Sequence, residues 1–371
     1  MSSTYGNVLH LSIFGQSHSP AIGCSLDGIP AGIPVDLEEL QRFMDRRAPG
    51  KGETSTKRKE ADRVNIIAGI VDGHTCGAPI AATIDNTNTR SKDYSELRKA
   101  PRPGHADYPA RVKYENKHDV AGGGHFSGRL TAPLCIAGGI ALQALEHMGI
   151  KIMAHVAQIG GAFDLPMDDQ TYRPEDRKNI LSNPLPTIDS DASELMLEEV
   201  RSAVADLDSI GGVIECGVYG LPTGLGDPMF DGMENRIASA VFAIPAVKGI
   251  EFGAGFAVAA MRGSENNDEY RMRDGRVTLN SNNAGGILGG ITTGEPLMWR
   301  AAVKPTPSIG KTQLTVDLDE QTDRELVIKG RHDPCIVPRA VPVAEAACAL
   351  AVLDTILEDG RFNELVDTET E

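Results

Sequence analysis

No Cys-x-x-Cys pair occurs in this sequence, and its six cysteines (Cys24, Cys76, Cys135, Cys216, Cys335 and Cys348) lack the spacing of a zinc site. Several sit in apolar surroundings, so reduced thiols in a cytoplasmic protein are expected rather than disulfides. No His, Cys and Glu set has ligand spacing, and no metal is expected. A GxxxxGK[ST] loop is absent, which argues against ATP or GTP hydrolysis. A GxGxxG turn in a βαβ unit is absent too, which argues against a nicotinamide-binding fold. The start, MSSTYGNVLH, has no basic segment leading into an apolar run, so no signal peptide is expected. The most apolar windows, 131–150 and 343–357, are interrupted by Gly138, Gly139 and Glu146, and by Glu345 and Asp354. They predict buried helices rather than membrane spans.

Positive charge is also in short supply. Lys and Arg number 36 against 52 Asp and Glu, a net charge of −16. Nucleic acid and anionic membranes are therefore poor candidates for the main partner. The deficit is uneven. Residues 42–117 carry 16 basic against 10 acidic side chains, an excess of +6, which leaves −22 for the rest. A local positive field in an acidic protein suits capture of a small anion.

The 371 residues, 41% hydrophobic and 24% charged, are ample for a large globular core. The stretch Arg102–Arg129, RPGHADYPARVKYENKHDVAGGGHFSGR, concentrates the chemistry. It holds Arg102, Arg111, Lys113, Lys117 and Arg129, three histidines (His105, His118, His125), and Gly122-Gly123-Gly124 with Ser127 close behind. Glycines admit close backbone approach, Arg and Ser bind oxyanions, and His moves protons near neutral pH. Together they predict a site for a small, multiply anionic molecule; a solvated loop is the plain alternative.

Around this stretch, residues 8–14 read as a strand leading into the polar turn Gly15-Gln16-Ser17-His18-Ser19-Pro20. Asp36 predicts an N-cap for a helix over 37–47 ending in Arg46 and Arg47. Residues 64–73 and 78–86 read as a hairpin, and Thr131–Met148 as a long apolar helix. Residues 160–190 have little periodicity and predict a peripheral excursion, after which Asp191 is expected to cap a helix to about Leu207. The segment 250–261 reads as a strand pair or bent strand, 262–280 as polar loop, and Pro342 as the start of the last helix. Cys216-GVYGLPTGLGDP echoes Cys24-SLDGIPAGIPVD at an offset of 192, which suggests an internal duplication. One domain over 1–359, built of two halves, is expected, with an acidic, disordered tail over 360–371.

The blocks GQSHSPAIGCSLDGIPAGIP, DRRAPG, RPGHADY, GGGHFSGRLTA, DSIGG, VKGIEFGAGF, NNAGGILGGITTG, VKPTPSI and GRHDPCIVPRAVPVAEA resemble, in order, those of the chorismate synthase family. The resemblance covers nearly the whole chain. It implies an α+β fold, a β-α-β sandwich of antiparallel sheets around central helices, assembled as a homotetramer. It implies 1,4-elimination of phosphate from 5-enolpyruvylshikimate-3-phosphate, the last step of the shikimate pathway, with reduced FMN and no net redox change. By this carry-over His18, His105, Asp333 and Ser17 are catalytic. Arg47, Arg102, Arg129 and Arg331, with Arg46 weaker, hold anions. His125, Phe126, Ser127, Ala246, Gly289, Lys304, Pro305, Thr306, Pro307, Ser308 and Arg331 contact the flavin.

The sequence departs from the family pattern at three places. GESHG is GQSHS here, and Arg-Ser-Ser is His125-Phe126-Ser127, where His125 stands in for the arginine. An arginine downstream of DRR is Glu53. Reduced flavin can then come from NADPH used by the chain itself or from an external flavin reductase; Glu53 and the lack of an added domain favour the second. A flavin-dependent oxidoreductase acting on a small anion remains the alternative enzyme class, and a non-catalytic anion-binding protein a third reading.

Overall fold

The computed structural model describes residues 3–50, 53–55, 61–87, 97–328 and 333–367. In chain order the first half contains β1 (Thr4–Tyr5), β2 (His10–Phe14), β3 (Ala21–Asp27), α1 (Leu37–Arg47), β4 (Asn65–Ala68), β5 (Ile70–Val71), β6 (His74–Thr75), β7 (Ile80–Asp85), α2 (Asp107–Lys113) and α3 (Thr131–Glu146). The second begins with β8 (Lys151–Ile159), β9 (Ala162–Phe163), α4 (Pro174–Ser182), α5 (Ser190–Ala205), β10 (Gly212–Tyr219), α6 (Met233–Phe242) and β11 (Val247–Phe252). It continues through α7 (Gly263–Asn266), β12 (Tyr270–Arg273), β13 (Arg276–Leu279), β14 (Ile287–Leu288), β15 (Ile291–Thr292), β16 (Leu297–Val303), β17 (Gln313–Asp317), β18 (Thr322–Leu326), α8 (Val337–Glu358) and α9 (Phe362–Asp367).

Two five-stranded antiparallel sheets, ordered β1-β2-β3-β7-β4 and β11-β16-β10-β8-β9, enclose the helices. Helix α3 packs on β2, β3 and β7, α8 packs on β8 and β10, and the two helices pack on each other. A Cβ at Gly138 of α3 would lie 2.3 Å from Ala346 Cβ of α8, so the crossing needs glycine there. Of the 22 residues of α8, 18 are buried, which makes it the centre of the core. Residues 128–146 and 337–358 are long and apolar enough to cross a bilayer, yet 72% and 94% of their apolar windows lie inside the fold. The two buried acids of α8 are satisfied where they lie. Asp354 accepts from the backbone amides of Asn7, Val8 and Leu9, and Glu345 from Arg46 and the Ala154 amide.

The duplication is visible in the geometry. Sheet order β2-β3-β7-β4 in the first half repeats as β8-β10-β16-β11 in the second. The matched GxPxG turns adopt matching backbones: Gly28 and Gly220 have φ of 91° and 86°, Gly32 and Gly224 of 92° and 98°. Each turn is tied to its hairpin by one buried threonine. Thr75 Oγ1 donates to the Pro30 carbonyl at 2.6 Å and accepts from the Ile33 amide at 3.0 Å. Thr292 Oγ1 does the same with Pro222 at 2.7 Å and Leu225 at 2.9 Å.

Helix α1 has the expected bounds, and Asp36 caps it by accepting from the Glu38 and Glu39 amides. Several expectations change. The cap of α5 is Asp189, which accepts from the Asp191 amide, and Val204 and Leu207 beyond its buried face are exposed. Residues 160–190 include a regular helix, α4, whose low amphipathicity hid it. Residues 255–260 form an exposed 3-10 turn, and the following polar stretch holds α7 and the β12–β13 hairpin. The last long helix starts at Val337, five residues before Pro342, with Pro338 in its first turn. Past residue 360, α9 forms and its Phe362, Leu365 and Val366 pack on the core, because apolar residues at i, i+3 and i+4 outweigh the acids between them.

Candidate active site

The strand ends at one side of the sandwich carry the candidate chemistry. Here the β2–β3 loop, the segment 97–130 that follows β7, and residues 304–308 and 333–336 that follow β16 meet. Gly122, Gly123 and Gly124 all have positive φ, of 60°, 85° and 54°, and bend the chain where side chains would be strained. Their lack of side chains is needed. A Cβ at Gly122 would lie 2.5 Å from Ser17 Oγ and 2.9 Å from His18 Nε2. A Cβ at Gly123 would lie 3.4 Å from His105 Nε2. Both histidines therefore meet on one glycine bend, although 87 residues separate them in sequence. The Ser17 amide donates to the Gly124 carbonyl at 3.1 Å and locks the two loops together.

His105 is held by Asp107. Its Nδ1 lies 2.6 Å from Asp107 Oδ1, while Arg102 Nε reaches Oδ2 at 2.7 Å and Arg102 Nη2 reaches Oδ1 at 2.8 Å. Burial opposes the charge on Asp107, but the hydrogen bonds from Arg102 and His105 outweigh it and hold the carboxyl well below the usual range. Arg102 also donates to Ser308 Oγ at 3.3 Å. Most of its donors are thus engaged within the protein, which limits the anion-binding role expected for it.

The second half closes over this turn. Lys304 Nζ donates to the Gly104 carbonyl at 2.8 Å, and the Lys304 amide donates to the Ala246 carbonyl at 2.9 Å. Burial, with Lys248 nearby, lowers the Lys304 ammonium below its ordinary value. Thr306 Oγ1 donates to the Asp333 carbonyl at 2.9 Å, and Ser209 Oγ donates to the Thr306 carbonyl at 2.7 Å. Pro305 lies against Gly211 and Pro307 against Gly104. Asp333 is ion-paired with Arg339, whose Nε donates to the Arg47 carbonyl at 2.9 Å.

Several expected site residues have other work. Consecutive helical residues point about 100° apart, so Arg46 and Arg47 cannot face the same place. Arg46 forks onto buried Glu345 on the far side of α1, away from the glycine bend. Arg47 is buried and engages Asp62, Thr131 Oγ1 and the Gly128 carbonyl. Burial lowers it to about 10, against the opposing pull of Asp62. Arg129 shares the same Asp62 and donates to Asn86 Oδ1 at 3.1 Å. His125 does not present itself as a replacement arginine. Its Nδ1 donates to the Gly15 carbonyl at 2.9 Å, so Nε2 accepts from Ser3 Oγ at 2.7 Å. Phe126 packs near Tyr114, and Ser127 Oγ accepts from the Arg129 amide.

Gly289 sits in the β14–β15 turn at the opposite end of β16 from Lys304. At about 3.3 Å per residue a strand of that length separates them by roughly 20 Å, so one chain does not bring Gly289 to this bend. Arg331 lies outside the described residues. Sequence reasoning missed Asp62, Asp107 and Arg339, the groups that hold the site's arginines, His105 and Asp333. A separate cavity of about 600 Å³ is lined by Tyr5, His10, Phe230, Asn235, Arg236 and Asp354. The donors of Arg236 there already serve the Asp231 carbonyl, Asp354 and Glu358.

With this geometry in view, comparison with known proteins decides the family. A family model described as chorismate synthase matches residues 9–357. The chain belongs to the chorismate synthase family. A chorismate synthase of Korarchaeum cryptofilum is 46% identical over 360 residues, covering 96% of this chain and 98% of the relative. One from Lancefieldella parvula is 47% identical over 370 residues, covering 96% of each. A crystal structure of chorismate synthase superposes with a TM-score of 0.77 at 28% identity, covering 98% of this chain and 96% of that one. Membership makes the chain a lyase of aromatic amino acid biosynthesis. The fold expected from the resemblance, antiparallel sheets around central helices, is the one observed.

Family membership implies a reduced flavin. The donor set fits one: a glycine bend without side chains, the Nε2 edge of His105, the Lys304 ammonium, and the hydroxyls of Ser127, Thr306 and Ser308 border the same place. Such a concentration of donors suits an electron-rich ring and a phosphate.

Proposed function

We propose that this chain removes phosphate from 5-enolpyruvylshikimate-3-phosphate by 1,4-elimination to give chorismate, at the glycine bend shared by His18 and His105. The carrying observation is that pairing: two proton-transfer groups meet on one side-chain-free bend, roofed by Lys304. In the reaction a ring C–H bond and the C–O bond to phosphate break, a second ring double bond forms, and inorganic phosphate and a proton leave. Reduced FMN, when bound, would supply electron density to the reacting ring with no net oxidation or reduction.

The residues take separate roles. His18, with Ser17 beside it, is the acid toward the departing phosphate. His105 and Lys304 face the flavin and control its charge. Asp333, held by Arg339, takes part in removing the ring proton. Arg129, with Arg331, answers the substrate's carboxylates and phosphate. Ser127, Ala246, Thr306 and Ser308 border the flavin. The protein works as a cytoplasmic homotetramer. An external flavin reductase supplies the reduced FMN, since Glu53 is ion-paired to Arg201 rather than free for a nicotinamide.

An anaerobic assay tests the reading. The protein is mixed with 5-enolpyruvylshikimate-3-phosphate and chemically reduced FMN, and chorismate absorbance and phosphate release are followed. Turnover with reduced but not oxidised FMN is expected. A folded, flavin-binding sample that releases no phosphate overturns it. A repeat with NADPH and oxidised FMN decides between self-reduction and an external reductase.

A further inference from the structure

We infer that Asp107 is the positioning residue of His105: its Oδ1 takes the Nδ1 proton, which leaves Nε2 toward the glycine bend as the one ring nitrogen available for chemistry. The inference deepens the proposed lyase reading and names a residue that reading does not use.

Geometry carries it. Asp107 Oδ1 lies 2.6 Å from His105 Nδ1, and their side chains are 8% and 17% exposed, so water competes weakly for the contact. Asp107 is in turn fixed by three donors from Arg102: the backbone amide at 3.0 Å, Nε at 2.7 Å and Nη2 at 2.8 Å. A carboxylate held ionised in this way can only accept, so Nδ1 must carry the hydrogen. Nε2 is then the nitrogen that lies 3.4 Å from where a Gly123 side chain would begin.

Arg102 Nη2 lies 3.1 Å from Nδ1 and 3.3 Å from Nε2. A point nearly equidistant from both ring nitrogens cannot lie in the ring plane without colliding with Cε1. The guanidinium nitrogen therefore sits over the imidazole face and takes neither lone pair. Nε2 stays open. Carboxylate, guanidinium and imidazole form one unit within six residues, in which Arg102 sets Asp107 and Asp107 sets His105.

Two measurements test this. The first is the ¹⁵N spectrum of His105 in the flavin-free wild type, which needs no turnover. The Nδ1–H tautomer is expected, and Nε2–H overturns the inference. The second is kinetic, on Asp107→Asn and Asp107→Glu after wild-type turnover is established. The amide can offer Nδ1 a donor and release the tautomer. The expected loss in kcat is on the order of 10- to 100-fold for Asp107→Asn, with KM little changed. Partial recovery is expected in Asp107→Glu. A merely structural role predicts instead a loss of flavin affinity with an unchanged His105 spectrum. Wild-type kcat in a folded Asp107→Asn protein overturns the inference; if that variant does not fold, the wild-type spectrum decides. Absence of wild-type turnover strikes the proposed function and leaves the spectroscopic answer standing.

Discussion

The loop between β2 and β3 and the connection between β8 and β10 occupy equivalent places in the two halves. The first spans six residues, 15–20, and delivers Ser17 and His18 to the glycine bend. The second spans more than fifty residues, carries β9, α4 and α5, and delivers Ser209, which holds the Thr306 carbonyl, and Gly211, which lies against Pro305. The same asymmetry appears farther on. The first half inserts the His105 turn and the glycine run before α3; the second inserts the 304–308 strap and Asp333 before α8. Threonines 75 and 292 hold identical turns at the other end of both sheets. The scaffold was copied while the candidate residues were divided: the histidines lie in one half, and Lys304 and Asp333 in the other.

Breaking this division should have the largest effect. His18→Ala is expected to lower kcat by about 10²- to 10⁴-fold, while Ser209→Ala, at the equivalent connection, changes kcat little. Steady-state assays under anaerobic conditions compare them, and comparable losses would mean the chemistry is not divided as described. Next comes the separation of Arg46 from Arg47. Arg46→Ala leaves buried Glu345 without its cationic partner and is expected to cost about 3–5 kcal/mol, read by urea unfolding, with KM for the anionic substrate unchanged. A raised KM with intact stability would return Arg46 to the substrate site.

The copied scaffold is tested by a matched pair. Thr75→Val and Thr292→Val each leave a proline carbonyl and a buried amide unpaired, at about 1–3 kcal/mol each. Equal and additive losses are expected, since the two turns share no contacts. A pronounced inequality would make the likeness of the turns only geometric.

The smallest effect concerns the long connection alone. His155, fully buried on β8, lies 2.8 Å from Asp164 Oδ2 and 3.0 Å from Glu215 Oε2. Burial opposes its charge, but the hydrogen bonds that it donates to Asp164 and Glu215 outweigh that and raise its pKa. The folded value is raised, so the stabilisation is full below the unfolded value of about 6.5 and is lost as pH rises through the folded one. Amides around Met167 and Ile188, held by the same two carboxylates, should exchange faster as pH rises, after correction for intrinsic rates. His155→Gln should remove that extra pH dependence, and an unchanged profile would sink the idea.

Local signals were legible in the sequence and distant ones were not. Asp36, Arg46 and Arg47 mark both ends of α1 because a cap and a terminal charge act within one turn. The paired Gly28 and Gly220 turns showed the duplication because glycine at positive φ leaves a residue-level trace. Asp189 was overlooked for Asp191 because either could cap, and only the backbone decides. Asp62 and Arg339 carry no local signature: Asp62 bridges Arg47 and Arg129, 15 and 67 residues away, and Arg339 reaches back 292 residues to Arg47. Asp107 was within reach, five residues from Arg102, but a reading for cations passes over the carboxylate that orders them. Gly289 shows the converse, since a motif travels with its family while its distance from the bend must be measured.

The crossing of Gly138 against Ala346 has a consequence for how the chain is made. Helix α3 is buried along most of its length, and much of what buries it is α8, whose first residue emerges from the ribosome nearly two hundred residues after α3 ends. During that interval the nascent first half leaves the side of α3 that meets α8 uncovered, an apolar surface that invites chaperones or self-association. The finished protein is compact because its last long segment threads between the sheets, so a ribosome that stalls before residue 337 releases a sticky fragment rather than a half-active enzyme.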